Sequence, residues 1–290
     1  MSLSVIISGL SISLIFGLSF LFTKNALDYV HPYTFLTYRF FVATIAVMVL
    51  SLLRIIKLSK KPYCRLWRVV IFQPVLYFTF ETNGLRFTTS SEAGMLIAII
   101  PIVVMLLSPA LLKERVRWYQ YLFGLMSFFG VSLIIGFSQF SFQGLLGKLL
   151  ILGAVFSAAL YNISSRKFSS EFKPEEITFF MMITGFVFFL FLSLVFGQFK
   201  LALQVPVIIS ALYLGIFSSV VAFFLVNFML SRVSPTISSL FANLTTVVSV
   251  VAGNLIRRES IRTMQVIGMC LIIMALTANS YLRSSETSKK

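Results

Sequence analysis

Charge is the scarcest property of this chain. Only 11% of its 290 residues are Asp, Glu, Lys or Arg, and nine of those are acidic. An ordinary globular domain carries about 25% charged residues. Histidine occurs once, at His31, so no histidine-based metal cluster or catalytic triad can be assembled. Neither a GxSxG nor a Walker pattern occurs, which removes the usual supports for a serine nucleophile or a nucleotide phosphate. These absences predict a protein that is not an enzyme, takes no metal or other cofactor, and would need another subunit to run on ATP. The two cysteines fall between apolar runs (Cys64) and inside one (Cys270), so no disulfide is expected. No polar stretch is long enough to fold as a soluble domain.

What fills the chain instead is apolar. Hydrophobic residues make up 58% of it and aromatic residues 15%, with a mean hydropathy of +0.97. A soluble fold, at about 45–50% apolar, would have too few polar groups here to cover its surface. The net charge of +15 comes from basic residues in short clusters between apolar runs. That is the pattern of juxtamembrane anchors, not of a nucleic-acid-binding face. The expected environment is the lipid bilayer, and nucleic acid is not an expected partner.

Charged residues divide the sequence into uninterrupted runs. No charge occurs from Met1 to Thr23, Ala93 to Leu112, Trp118 to Gly147, Leu149 to Ser165, Ile177 to Phe199, Leu201 to Ser231, Val233 to Ile256 or Thr263 to Leu282. A helix needs about 20 mainly apolar residues to cross the hydrocarbon layer, whereas a transmembrane strand needs about 10 with alternating polarity. These runs are too long for strands and do not alternate. The expectation is an all-α membrane protein with ten transmembrane helices, at 4–23, 34–53, 67–86, 92–112, 117–137, 144–165, 177–197, 205–229, 234–256 and 262–282. The first run has no preceding positive charge and no small-residue cleavage pattern, so it reads as a retained span and not a secretory signal.

Lys and Arg counts give the orientation. With ten spans, sixteen of them fall on the side shared by both termini, led by Arg54, Lys57, Lys60, Lys61, Arg65 and Arg68. Arg115 and the tail residues Lys289 and Lys290 are counted with them. Seven fall opposite, including the trio Arg257, Arg258 and Arg262, which locally argues the other way. Both termini, including a short tail at 283–290, are predicted to be cytoplasmic.

The chain also repeats itself. Leu85–Glu114 and Leu230–Glu259 each run from a basic residue through a Ser/Thr-rich turn and an apolar helix to a basic residue plus Glu, and the closing pairs superpose at an offset of 145. Phe16–Lys24 matches Phe156–Ser164 at an offset of 140, and Pro32 is answered by Pro174. The unit has five helices. An odd number brings the second copy into the membrane from the opposite side, and inverted pairs recur in secondary transporters. Some channels share this symmetry.

These residues resemble the EamA domain of the drug/metabolite transporter superfamily. In the first half the resemblance lies in Phe-Gly-x-Ser at 16–19, His31-Pro32, Tyr-Arg-Phe at 38–40, Thr-Thr-Ser-Ser at 88–91, Pro101 and Leu-Leu-Lys-Glu at 111–114. In the second it lies in Phe156–Tyr161, Ser-Arg-Lys at 165–167, Asn-Leu-Thr at 243–245 and Arg-Glu at 258–259. It implies two inverted five-helix EamA repeats, at 5–137 and 144–282, in the cytoplasmic membrane. It also implies solute transport, usually export driven by an ion gradient or by exchange. The sequence departs from the family pattern at Phe16, where Trp is common, and at Thr246, where a proline would match Pro101. It departs again at Glu81 and Glu92, which are acidic where most members are neutral.

Ionisable groups inside a bilayer are costly and so mark candidate function. Arg39, Glu81 and Glu92 are the three here, and the orientation places them in the outer part of the membrane. Arg39 and Glu81 are expected to pair and close the outer side of a central cavity, either as a moving gate or as a static packing pair. Glu81 is the candidate for proton coupling. Glu92 is a gating candidate or an interfacial cap on its helix. Substrate-binding candidates near the midplane are Ser19, Tyr77, Tyr161, Asn162, Asn227, Asn243 and Thr246, each with an alternative role as interhelical glue or interfacial belt. Pro101 is expected to kink its helix. The scarcity of midplane charge favours an amphipathic or zwitterionic solute, amino acids among them, with a proton or counter-solute as a second partner and a monomer or dimer as the working unit. A channel or an accessory membrane subunit is the alternative function.

Overall fold

The computed structural model describes residues 2–88, 90–114, 116–136, 144–202, 204–257 and 261–287. Thr89, Arg115, Arg258, Glu259, Lys289 and Lys290 lie outside the described residues. Every element among the described residues is helical. The α-helices are α1 (Leu3–Leu27), α2 (Pro32–Leu52), α3 (Trp67–Val70), α4 (Tyr77–Phe87), α5 (Ser90–Ile97), α6 (Ile100–Leu112) and α7 (Trp118–Ile135). They continue as α8 (Leu145–Phe168), α9 (Pro174–Val195), α10 (Val205–Tyr213), α11 (Ala222–Arg232), α12 (Pro235–Arg257) and α13 (Thr263–Thr287). Seven helical runs among the described residues are long and apolar enough to cross a membrane.

Local chemistry sets several of the starts. Pro32 and Pro174 occupy the first turns of α2 and α9, where a missing N–H is harmless and φ is already helical. The ring Nδ1 of His31 accepts the Tyr33 N–H ahead of α2. Glu176 accepts the Lys173 N–H at 2.8 Å, capping α9. The same carboxylate takes Lys61 Nζ at 2.8 Å, the Tyr63 hydroxyl at 3.0 Å and the Ser59 N–H at 3.2 Å. The polar link between α2 and α3 is thereby tied to the start of α9.

Three helices that the sequence predicts as continuous are interrupted. Between α3 and α4 the chain passes through a π-helical stretch, Ile71–Leu76, in which Gln73 is extended (φ −149°, ψ 118°) ahead of Pro74. Between α5 and α6 it breaks at Ala98–Ile99, in the turn ahead of Pro101, whose missing N–H and ring keep the helix from running on unbroken. A second π-helical stretch, Leu214–Val221, joins α10 to α11. In lipid, a carbonyl released by a break needs another donor. Ala98 O finds one in the Asn243 side-chain amide, 3.3 Å away.

Lipid tails are as apolar as leucine, so helices associate in a bilayer mainly through close packing and interhelical hydrogen bonds. Both operate here. At the crossing of α7 and α13, a Cβ on Gly130 would lie 2.7 Å from Gly268 O, and one on Gly268 would lie 2.4 Å from Gly130 O. Ser13 on α1 donates to Phe241 O on α12 at 2.9 Å. Thr44 on α2 donates to Met182 O on α9 at 3.1 Å. The packed interior leaves a large gap, and residues from the interruptions border it.

Candidate functional site

All three interruptions border the same cavity. Gln73 lines it from the first π-helical stretch, Ile97 and Ile100 from either side of the α5–α6 break, and Ser218 from the second π-helical stretch. The cavity has about 960 Å³ of empty space, open solvent at its mouth included. Irregular helix at membrane depth is tolerated where it lines such a space, and π-type bulges gather at functional sites.

Arg39 and Glu81 are the charged residues of the lining, 5% and 6% exposed. Arg39 Nε donates to Ser219 Oγ at 2.8 Å and Nη2 to Ser218 Oγ at 3.1 Å. Its guanidinium carbon lies 4.4 Å from the centroid of the Phe78 ring. Glu81 Oε2 accepts the Thr82 hydroxyl at 2.8 Å. The direct Arg39–Glu81 pair expected from the sequence does not form: no nitrogen–oxygen approach within 4.0 Å joins them. Hydroxyls from the second π-helical stretch hold the guanidinium, and the threonine next in α4 holds the carboxylate. Arg39 Nη1 and Glu81 Oε1 have no protein partner among the described residues. The cavity therefore holds a guanidinium and a carboxyl group, each fixed by neutral neighbours and not in direct contact with the other.

Of the other sequence candidates, Ser19, Tyr77, Tyr161 and Asn162 line the cavity. Ser19 and Asn162 also donate to carbonyls one turn back, Ile15 O and Ala158 O. Asn227, Asn243 and Thr246 do not line it. Asn227 sits behind Tyr161, accepting its hydroxyl at 2.9 Å and that of Ser165 at 2.6 Å, and donating to Thr178 Oγ1 at 3.0 Å. It thus joins α8, α9 and α11. Asn243 donates to Ser127 Oγ at 3.0 Å as well as to Ala98 O. Thr246 is half-buried, and its neighbour Thr245 takes the lining position. Glu92 is away from the cavity, in a buried ion pair with Lys148 at 3.0 Å and accepting the Thr88 hydroxyl at 2.6 Å. Pro101 is likewise outside the lining.

The sequence reading missed Gln73, Phe78, Ser218 and Ser219. A glutamine before a proline and a serine pair, each inside an apolar run, were the available signals. His31, the single histidine, lies at the start of α2, where partial burial and Arg86, with Nη1 at 3.3 Å, hold it below the ordinary imidazole range. Among the described residues no three His, Cys, Asp or Glu side chains converge as metal ligands.

The sequence profile of the EamA-like transporter family matches residues 3–136 and again 145–281. The chain belongs to this family. A relative in Bacillus subtilis (strain 168), named uncharacterized transporter YcxC, is 36% identical over 98% of this chain and 95% of its own length. A member from Archaeoglobus fulgidus, named only as an uncharacterized transporter, is 26% identical over 90% and 92%. A solved crystal structure superposes with a TM-score of 0.84, covering 97% of this chain and 98% of its own at 18% identity, so the two share the fold. Family membership and the long apolar helices together make this a multi-pass membrane protein of transporter type.

Proposed function

We propose that the protein is a secondary active carrier of a small zwitterionic or amphipathic organic solute, amino acids among them, working by alternating access and exporting across the cytoplasmic membrane. The observation that carries this reading is the cavity in which Arg39 and Glu81 stand apart. A guanidinium with a free edge suits a carboxylate, and a carboxylate with a free oxygen suits an ammonium. The apolar and aromatic remainder of the wall, with Phe16, Phe78 and Phe223, suits a side chain. The protein performs no covalent chemistry in this reading.

Ten crossings follow if α3 is joined with α4, α5 with α6 and α10 with α11, with both termini cytoplasmic. Two inverted five-helix halves are supported by element boundaries. Shifting α4 by 145 positions gives the bounds of α11, and shifting the end of α6 gives the end of α12. Each of α4 and α11 follows a π-helical stretch. Ala98 and Asn243, themselves 145 apart, touch each other, as equivalent positions do only near a two-fold axis. Such halves exchange conformations to expose the cavity alternately to each side.

Glu81 is the proposed coupling group. Its charge inside the membrane is tolerable when offset by the solute's ammonium or by a proton, so the two compete for one carboxylate. Glu81→Gln is expected to keep the protein folded and to flatten the dependence of transport on pH, measured as the initial uptake rate into proteoliposomes. Normal rates with an unchanged pH profile would remove Glu81 from the mechanism.

A further inference from the structure

Gln73 is a buried amide with an unmet hydrogen-bonding capacity. It is 5% exposed and lines the cavity. Among the described residues its side chain has no hydrogen-bond partner in the protein. Nor is the amide sealed in, because polar atoms enclosed without a partner are confined, among the described residues, to Ser108 and Asn279. The extended backbone at Gln73 turns the side chain out of the helical register and into the open space.

The second π-helical stretch shows what such a position does when it is occupied. At the offset of 145, Gln73 corresponds to Ser218 and Phe78 to Phe223, and all four line the cavity. Ser218 accepts from Arg39. The offset of 142 that relates Pro32 to Pro174 carries Arg39 onto Met181, which is buried with its sulfur 3.6 Å from the Asn227 amide. Among the described residues no guanidinium reaches Gln73, and its amide stays open to the cavity. A primary amide offers two donors and an acceptor, so a neutral group that both donates and accepts satisfies both kinds at once: a hydroxyl in part, another amide most fully.

We propose that Gln73 is a specificity-determining residue, which selects zwitterions whose side chain carries a neutral group that both donates and accepts hydrogen bonds, a carboxamide foremost. This rests on the reading of the cavity as a zwitterion site. Arg39 and Glu81 hold the charged ends and Gln73 reads the side chain. A site that leaves a buried amide unpaired discriminates against an apolar side chain by about tenfold to 100-fold.

The test uses L-glutamine and L-methionine, zwitterions of similar size with a carboxamide and a thioether, titrated calorimetrically into detergent-purified full-length protein. Wild type is expected to prefer glutamine by at least about tenfold, and Gln73→Met to lose or reverse that preference while retaining methionine binding. Gln73→Asn, which keeps the amide and shortens its reach, is expected to fall between the two, and it serves as the readout if the Met variant does not fold. An unchanged ratio in the variants, or no glutamine preference in wild type, overturns the assignment of Gln73 alone. Binding of neither compound to wild type removes the zwitterion reading and this inference with it.

Discussion

Arg39→Gln is expected to weaken binding of an L-amino acid by at least about 30-fold while leaving the melting temperature unchanged or raised. The loss follows from the surroundings of the guanidinium. It is the cation of the cavity lining, 5% exposed, and a solute carboxylate there would be desolvated on all sides. Removing one member of a buried charged pair costs about 2–5 kcal/mol, and about 1.4 kcal/mol is tenfold. Stability moves the other way because the ligand-free protein already carries the cost of holding that charge away from water. The partners left behind, Ser218 and Ser219, are hydroxyls that can turn back to carbonyls of their own helix. Ser219→Ala, which removes one of the two hydroxyl supports, is expected to cost only a few-fold in affinity. Equal affinity in Arg39→Gln would mean that the arginine is a packing element and no part of a solute site.

The largest stability effect is expected at Glu92 and Lys148. Their side chains are each 5% exposed and meet at 3.0 Å between the start of α5 and the first turn of α8. Replacing Lys148 with methionine leaves the carboxylate buried without its cation, a change that costs about 3–5 kcal/mol and lowers the melting temperature by roughly 10 °C. Glu92→Leu is expected to do the same from the other side. The double variant restores most of the loss, because an apolar pair of similar volume carries no desolvation penalty. Thermal unfolding of the three variants in one detergent checks this. Single variants within about 2 °C of wild type, less than the shift for one kcal/mol in a chain of this size, would show that the pair is solvated or otherwise compensated.

Much of this architecture is legible in the sequence because the bilayer enforces it. Runs of apolar residues bounded by Lys and Arg mark the long helices, since a shorter or more polar run would strand backbone groups in lipid. Pro32 and Pro174 were legible only as a matching pair ahead of two helices, and the structure places both inside the first turns. The interruptions were only partly visible. Gln73 and Pro74 sit in a run that reads as one apolar helix, although the proline biases the residue before it toward the extended backbone that Gln73 adopts. Arg39 and Glu81 stand out as charges in apolar runs, yet their mutual contact was expected wrongly. The hydroxyls that hold Arg39 come from 180 residues away in the chain. Asn227 and Asn243 illustrate a related limit. A buried amide must find partners, but the sequence does not say whether these are solute or protein, and here Tyr161, Ser165, Thr178, Ser127 and Ala98 supply them.

The account rests on one cavity acting as a carrier site for a zwitterion, and counterflow in proteoliposomes tests that most directly. Vesicles holding wild-type protein are loaded with a millimolar mixture of neutral L-amino acids and diluted into a trace of the same mixture carrying a radiolabel. A carrier is expected to accumulate label above its equilibrium level and then lose it as the gradient dissipates, and vesicles with Arg39→Gln are expected to show no such overshoot. Label that enters wild-type vesicles only to equilibrium, with no saturation, would mean a channel; an overshoot that persists in Arg39→Gln would mean a carrier whose site lies elsewhere.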